Sequence, residues 1–125
     1  MNLPTELHYT KDHEWVSATS GEVMIGVSAF AIEQLGDIVH VDLPSVGDEL
    51  VAGDPFGSIE STKTVSDLYS PGNGIVTAVH DSILENPEKL QEDAYHEGWL
   101  VKIKLSESID GAMSSTDYEA YLQDS

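Results

Sequence analysis

The chain has 125 residues, no cysteine, and 23 acidic side chains against 5 basic ones, a formal net charge of −18 with histidines neutral. A phosphate backbone or an anionic membrane surface repels such a chain, which argues against nucleic-acid and membrane-surface functions. Without cysteine there is no disulfide scaffold, thiolate metal site or thiol nucleophile.

The length suits a single domain over residues 1–125, and a hydrophobic content of 40% suits an ordinary core. The opening "MNLPTELHYTKDHEW" lacks the basic and apolar regions of a secretory signal and the arginines of a mitochondrial presequence. No apolar run approaches a membrane span. The expectation is a protein of a bacterial-type cytoplasm, or a mature form of a targeted one.

In chain order, "EVMIGV" (Glu22–Val27) reads as a strand with Val23, Ile25 and Val27 on one face. Ser28 can cap a helix over "AFAIEQL", and Gly36 can end it. "IVHVDL" alternates, placing Val39, Val41 and Leu43 opposite His40 and Asp42. "SVGD", "VAGD" and "SPGNG" carry turn residues. "IVTAVH" is a further alternating strand. Asn86 and Pro87 fit the cap and first turn of a helix over "EKLQEDAY". After the turn "EGW", the strand "WLVKIKL" sets Val101, Ile103 and Leu105 opposite Lys102 and Lys104. Thr116 and Glu119 have capping-box spacing, and Tyr118, Tyr121 and Leu122 form a helical stripe that docks on the sheet, giving a C-terminal helix over about 115–124. Many short strands at close spacing indicate a sandwich or barrel.

The centre has a weak internal symmetry. "VGDELVAGDPFGSIES" leads into Lys63 and "TVSDLYSPGNGIVTAV" leads away, each arm reading strand, turn, strand. Lys63 thus falls at the tip of a turn, exposed. From pattern alone it reads as a solvated charge, like most loop-tip lysines. His8, His40, His80 and His96 lack metal-ligand spacing. No glycine-rich phosphate loop and no G-x-S-x-G elbow is present, so no catalytic set emerges.

The segment "GSIESTKTVSDLYSPGNGIV" resembles the lipoyl-attachment segment of the H proteins of the glycine cleavage system. Residues 9–16 ("YTKDHEWV"), 25–50 and 97–105 ("EGWLVKIKL") resemble other blocks of that family, in the same order. The resemblance implies a mostly β, lipoyl-type barrel–sandwich hybrid of two antiparallel sheets with short flanking helices. It implies a non-catalytic carrier, with lipoic acid joined by an amide to Lys63. Glu60 and Gly74, three residues before and eleven after the lysine, would serve recognition by the lipoate ligase, or by lipoyl synthase and transferase. Taken as structure alone, Glu60 is a solvated acid and Gly74 a turn residue of unusual φ.

The mechanism implied is a swinging arm. The P protein decarboxylates glycine and leaves its aminomethyl group on the arm, the T protein passes the one-carbon unit to tetrahydrofolate, and the L protein reoxidises the arm. The resemblance suggests Glu14 and Asp67 as partners of the cationic amine of the loaded arm. Asp12 stands where a small polar residue is usual, and its acid either strengthens cation binding or adds surface charge. His13 and Trp15 read as structural. The alternatives are an H-like lipoate donor or relay outside glycine cleavage, a biotin carrier, which has methionines where Thr62 and Thr64 stand, and a lipoyl domain of a 2-oxoacid dehydrogenase, which has aspartate and alanine there. The acidic surface is either a solubility coat or a means of steering partners with basic patches.

Overall fold

The computed structural model describes residues 4–19, 22–95, 98–106 and 112–124. Along the chain run β1 (His8–Tyr9), β2 (Glu14–Thr19), β3 (Glu22–Val27), α1 (Ala29–Leu35), β4 (Ile38–Asp42), β5 (Glu49–Leu50), β6 (Pro55–Ser61), β7 (Val65–Tyr69), β8 (Gly74–Val79), α2 (Asp81–Glu85), α3 (Lys89–Glu92), β9 (Val101–Leu105) and α4 (Ser115–Asp124). One antiparallel sheet has the order β1-β2-β3-β9-β8-β5, the other β4-β6-β7. His96 and Glu97, on which two of the sequence readings touch, lie outside the described residues.

Period-2 patterning builds the core. Val23, Ile25 and Val27 of β3 are buried, as are Val101 and Ile103 of the adjacent β9. They meet Val41 and Ile59 of the smaller sheet and Ile32 and Leu35 of α1 in one cluster. The central symmetry is realised: β6 pairs with β7, and β5 pairs with β8, with residues 62–64 as the connection between the inner pair. A second cluster joins Leu7, Tyr9 and Trp15 to Tyr118 of α4. The rings of Tyr9 and Tyr118 stack at 4.8 Å between centroids. Tyr121 and Leu122 pack against this cluster, so the stripe docks on the body as expected. Aromatic side chains of this size bury about 150–250 Å² each, a gross transfer gain of about 4–6 kcal/mol apiece at about 25 cal/mol per Å².

Four expectations are corrected. A bulge between Ile38 and His40 breaks the alternation of β4, so Ile38 and Val41 point inward and Val39 is half exposed. Asn86 ends α2, a helix that periodicity missed; α3 then begins at Lys89 and spans only one turn. In α4 the cap is Ser114, whose Oγ accepts from the Asp117 N–H at 3.2 Å and whose carbonyl accepts from the Tyr118 N–H; Thr116 lies inside the helix. Gly74 is not among the residues with positive φ. It lies in β8, where a Cβ would stand 2.5 Å from the Lys104 carbonyl oxygen, so close strand approach, not turn geometry, demands the glycine.

Candidate functional site

Lys63 stands exposed on the connection between β6 and β7. The turn is built by Ser61, which is buried. Its N–H donates to the Thr64 carbonyl at 2.8 Å, and its Oγ accepts from the N–H groups of Lys63 at 3.2 Å and Thr64 at 3.1 Å. A hydroxyl that satisfies two successive turn amides holds the backbone while leaving the lysine side chain free. The Thr62 N–H donates to the Asp37 carbonyl at 3.0 Å, tying the turn to the end of α1.

That end is shaped for the lysine. Gly36 closes α1 with φ +83°, its N–H donating to the Ile32 carbonyl. A Cβ at Gly36 would lie 3.5 Å from Lys63 Cε and 3.6 Å from Nζ, so the lysine stem rests over this glycine, beside the carbonyl end of the helix. Gln91 of α3 braces the same corner, accepting from the Ile38 N–H and donating to the Gly36 carbonyl, each at 3.3 Å. Glu60 is exposed on β6, paired in register with His40 and Val65.

A cleft of about 510 Å³ opens beside this turn, between α1 and β7. Asp12 and His13 line it from one side and Asp67 from the other, while Val27, Phe30, Ala31 and Leu35 supply an apolar wall. The structure therefore brings Asp12 and Asp67 into one site. Glu14 does not line the cleft. It adjoins it, next in chain to His13, and is almost fully buried at 2% exposure. Its Oε2 accepts from the Tyr69 N–H at 2.8 Å, while Oε1 is buried with no hydrogen-bond partner among the described residues. Burial, only partly offset by the Tyr69 N–H and augmented by the nearby Asp12 charge, pushes the Glu14 carboxyl up to about 8. Glu14 is accordingly a neutral acid at neutral pH.

Sequence reasoning took His13 as structural and did not see what holds it. His13 adopts φ +65°, in the left-handed region that few non-glycine residues enter. Its Nδ1 lies 2.8 Å from the Tyr118 hydroxyl, which lies 2.8 Å from Ser28 Oγ. The Ser28 N–H donates to the His13 carbonyl at 2.8 Å, and Ser28 Oγ caps α1 by accepting from the Ala31 N–H at 3.3 Å. Burial lowers the His13 pKa, with Asp12 acting against it, which keeps the ring neutral. One phenol on α4 thus fixes one wall of the cleft. Ser28 carried a legible capping signal, but its second bond joins residues 90 apart in sequence and leaves no local trace. Among the described residues no group of histidine and acidic side chains could hold a metal ion.

The family model described as glycine cleavage H-protein matches residues 7–125. The chain belongs to the glycine cleavage H-protein family. It is 48% identical over 120 residues to the glycine cleavage system H protein of Nitratidesulfovibrio vulgaris, covering 96% of this chain and 94% of that one. It is 48% identical over 124 residues to that of Listeria monocytogenes, covering 98% and 99%. The crystal structure of a glycine cleavage system H protein from Mycobacterium marinum superposes with a TM-score of 0.91 at 34% identity, covering 97% of this chain and 99% of that one. Membership and shared fold agree with the two-sheet architecture.

Proposed function

We propose that this H-protein family member carries lipoic acid in amide linkage on Lys63 and shuttles the aminomethyl group of glycine on that arm. The observation that carries the reading is the pairing of an ordered, exposed lysine turn with an adjoining cleft of matching chemistry. Acylation needs a reachable amine, and the Ser61-braced turn presents one. When bound, the lipoyl group supplies a disulfide that accepts the one-carbon cargo. The residues present fit it: the wall of Val27, Phe30, Ala31 and Leu35 suits an acyl chain, and Asp12 and Asp67 suit a cationic amine at its end. The Glu14 carboxyl beside the cleft, held neutral by its burial, would be favoured in its ionised form by a nearby cation, and its Oε1 would then serve as an acceptor. Exclusion of water by these walls slows hydrolysis of the cargo.

In this reading the chain is a non-catalytic subunit. Its partners are the decarboxylating P protein, the aminomethyl-transferring T protein, the flavin-dependent L protein, and a lipoate ligase or lipoyl synthase and transferase that recognises the turn through Glu60. No described helix is long and apolar enough to cross a membrane, and a cytoplasmic site of action fits the chemistry. The test is intact mass with peptide mapping of protein from its own host. One lipoyl group on Lys63, lost in Lys63→Arg, is the expected result. An unmodified Lys63 that also resists lipoate ligase overturns the reading.

A further inference from the structure

Strand β7 is an edge strand: in the order β4-β6-β7 it pairs on one side only among the described residues. Which of its backbone groups face outward follows from the pairing. Ser61 and Thr64 are hydrogen-bonded across the turn, so their partners two residues on, Ile59 with Ser66, are hydrogen-bonded as well. Ser66 and Leu68 therefore spend their N–H and C=O groups on β6, while Val65, Asp67 and Tyr69 direct theirs away from it. Tyr69 confirms the phase, since its N–H leaves the sheet to reach Glu14. The cleft is lined by the unbroken run Thr64, Val65, Ser66, Asp67 and Leu68. A sheet face contributes alternate residues; an unbroken run means that the edge itself forms the wall.

A strand edge inside a cleft is a row of open donors and acceptors. The distance along it is suited to an arm. Val65 to Tyr69 spans four residues, about 13 Å at 3.3 Å per residue, the scale of an extended lipoyl chain. At the near end the edge begins two residues from Lys63; at the far end lies Glu14 with its unpartnered oxygen. The amide that acylation creates on Lys63 Nζ has one donor and one acceptor of the kind a strand edge pairs with.

We propose that the open edge of β7 is a positioning rail for the arm, with the main-chain groups of Val65 hydrogen-bonded to the lipoyl-lysine amide, so that the arm lies along Val65–Tyr69 as a partial added strand. The inference rests on the carrier reading and deepens it: the backbone, and not only the cleft's side chains, positions the arm. A main-chain rail also explains why the side chain of Val65 can stay 60% exposed while its residue lines the site.

The test is amide-resolved hydrogen exchange on the full chain, unmodified and then lipoylated with the aminomethyl group loaded, with intact mass recorded on each sample. The expected result is that exchange at Val65 N–H slows at least tenfold on loading and its shift becomes less temperature-dependent, while Ser66 and Leu68, already bonded to β6, change little. A loaded, mass-verified sample in which Val65 exchanges as in the unmodified chain overturns the rail and leaves the carrier reading standing. Failure to acquire lipoate at Lys63 overturns both. Val65→Pro removes the same donor while leaving every other cleft side chain in place, and Val65→Ala controls for the loss of the valine side chain; faster exchange at Asp67 in the loaded Val65→Pro protein than in loaded Val65→Ala is expected, and equal rates count against the rail.

Discussion

Glu14 behaves unlike the other acids of an acidic chain because of where it sits. In water its carboxyl has a pKa of 4.5, and burial in the fold raises this to about 8. Below pH 4.5 both folded and unfolded states hold the proton and the group contributes no penalty. Between pH 4.5 and about 8 the unfolded chain has released it while the folded chain retains it, so stability falls as pH rises. The total is about 5 kcal/mol at 1.36 kcal/mol per pKa unit. His13 acts in the opposite sense below pH 6.5, where the unfolded chain gains a proton that the folded ring resists. We expect the urea midpoint to fall between pH 6.5 and 8, and Glu14→Gln to flatten that slope and raise the midpoint at pH 8. An unchanged slope in Glu14→Gln would mean that Glu14 is ionised in the fold. None of this was readable from "HEW": an acid in a sequence defaults to solvent, and only the tertiary placement against Tyr69 reverses that.

At the scale of elements, two substitutions separate packing from recognition. Gly74→Ala puts a methyl against the Lys104 carbonyl, a backbone atom that moves only with β9. The expected cost is about 1–3 kcal/mol, typical of overpacking, read as a lowered thermal midpoint even in unmodified protein. A Gly74→Ala protein of full stability that fails only as a ligase substrate would assign the glycine to recognition alone. Tyr118→Phe leaves His13 Nδ1 and the buried Ser28 hydroxyl without their shared partner, at an expected cost of about 1–3 kcal/mol measured by chemical denaturation. Strands with uninterrupted alternation, β3 and β9, were legible in the sequence, as were α1 with both caps and the extent of α4. What escaped was non-local or short. The bulge that turns Val39 outward is set by pairing with β6, and α2 at five residues is too short to show a period. The lysine turn was legible in position, but its brace by Ser61 and its seat over Gly36 were not, because a serine beside a turn carries no sign of which amides it will satisfy.

For the whole molecule, the dominant fact is −18 charges with little internal compensation. Between described residues, His40 and Asp42 lie within ion-pair distance, at 3.2 Å and exposed, a hydrogen bond when the histidine is neutral. Repulsion among acids is therefore screened mainly by the solvent's ions. The screening length shrinks from about 10 Å at 0.1 M to about 3 Å at 1 M salt, so the thermal midpoint is expected to rise over that range. Affinity for a basic partner surface is expected to fall over the same range, since screening weakens attraction as well as repulsion. A partner affinity indifferent to salt would leave the acidic coat with a solubility role alone.

The reach of Tyr118 back to His13, 105 residues earlier, also orders the events of synthesis and of damage. A growing chain completes its modifiable turn at residues 61–64 well before the residue that secures the cleft wall has been added. In the proposed carrier, attachment and sheltering would therefore mature at different times. Ageing reverses the order: an exopeptidase or a clip ahead of α4 would strip His13 of its phenol while leaving Lys63 and its Ser61 brace in place. If the carrier reading holds, such a protein would still pass a mass assay for lipoylation, and its defect would show only as cargo lost in transit.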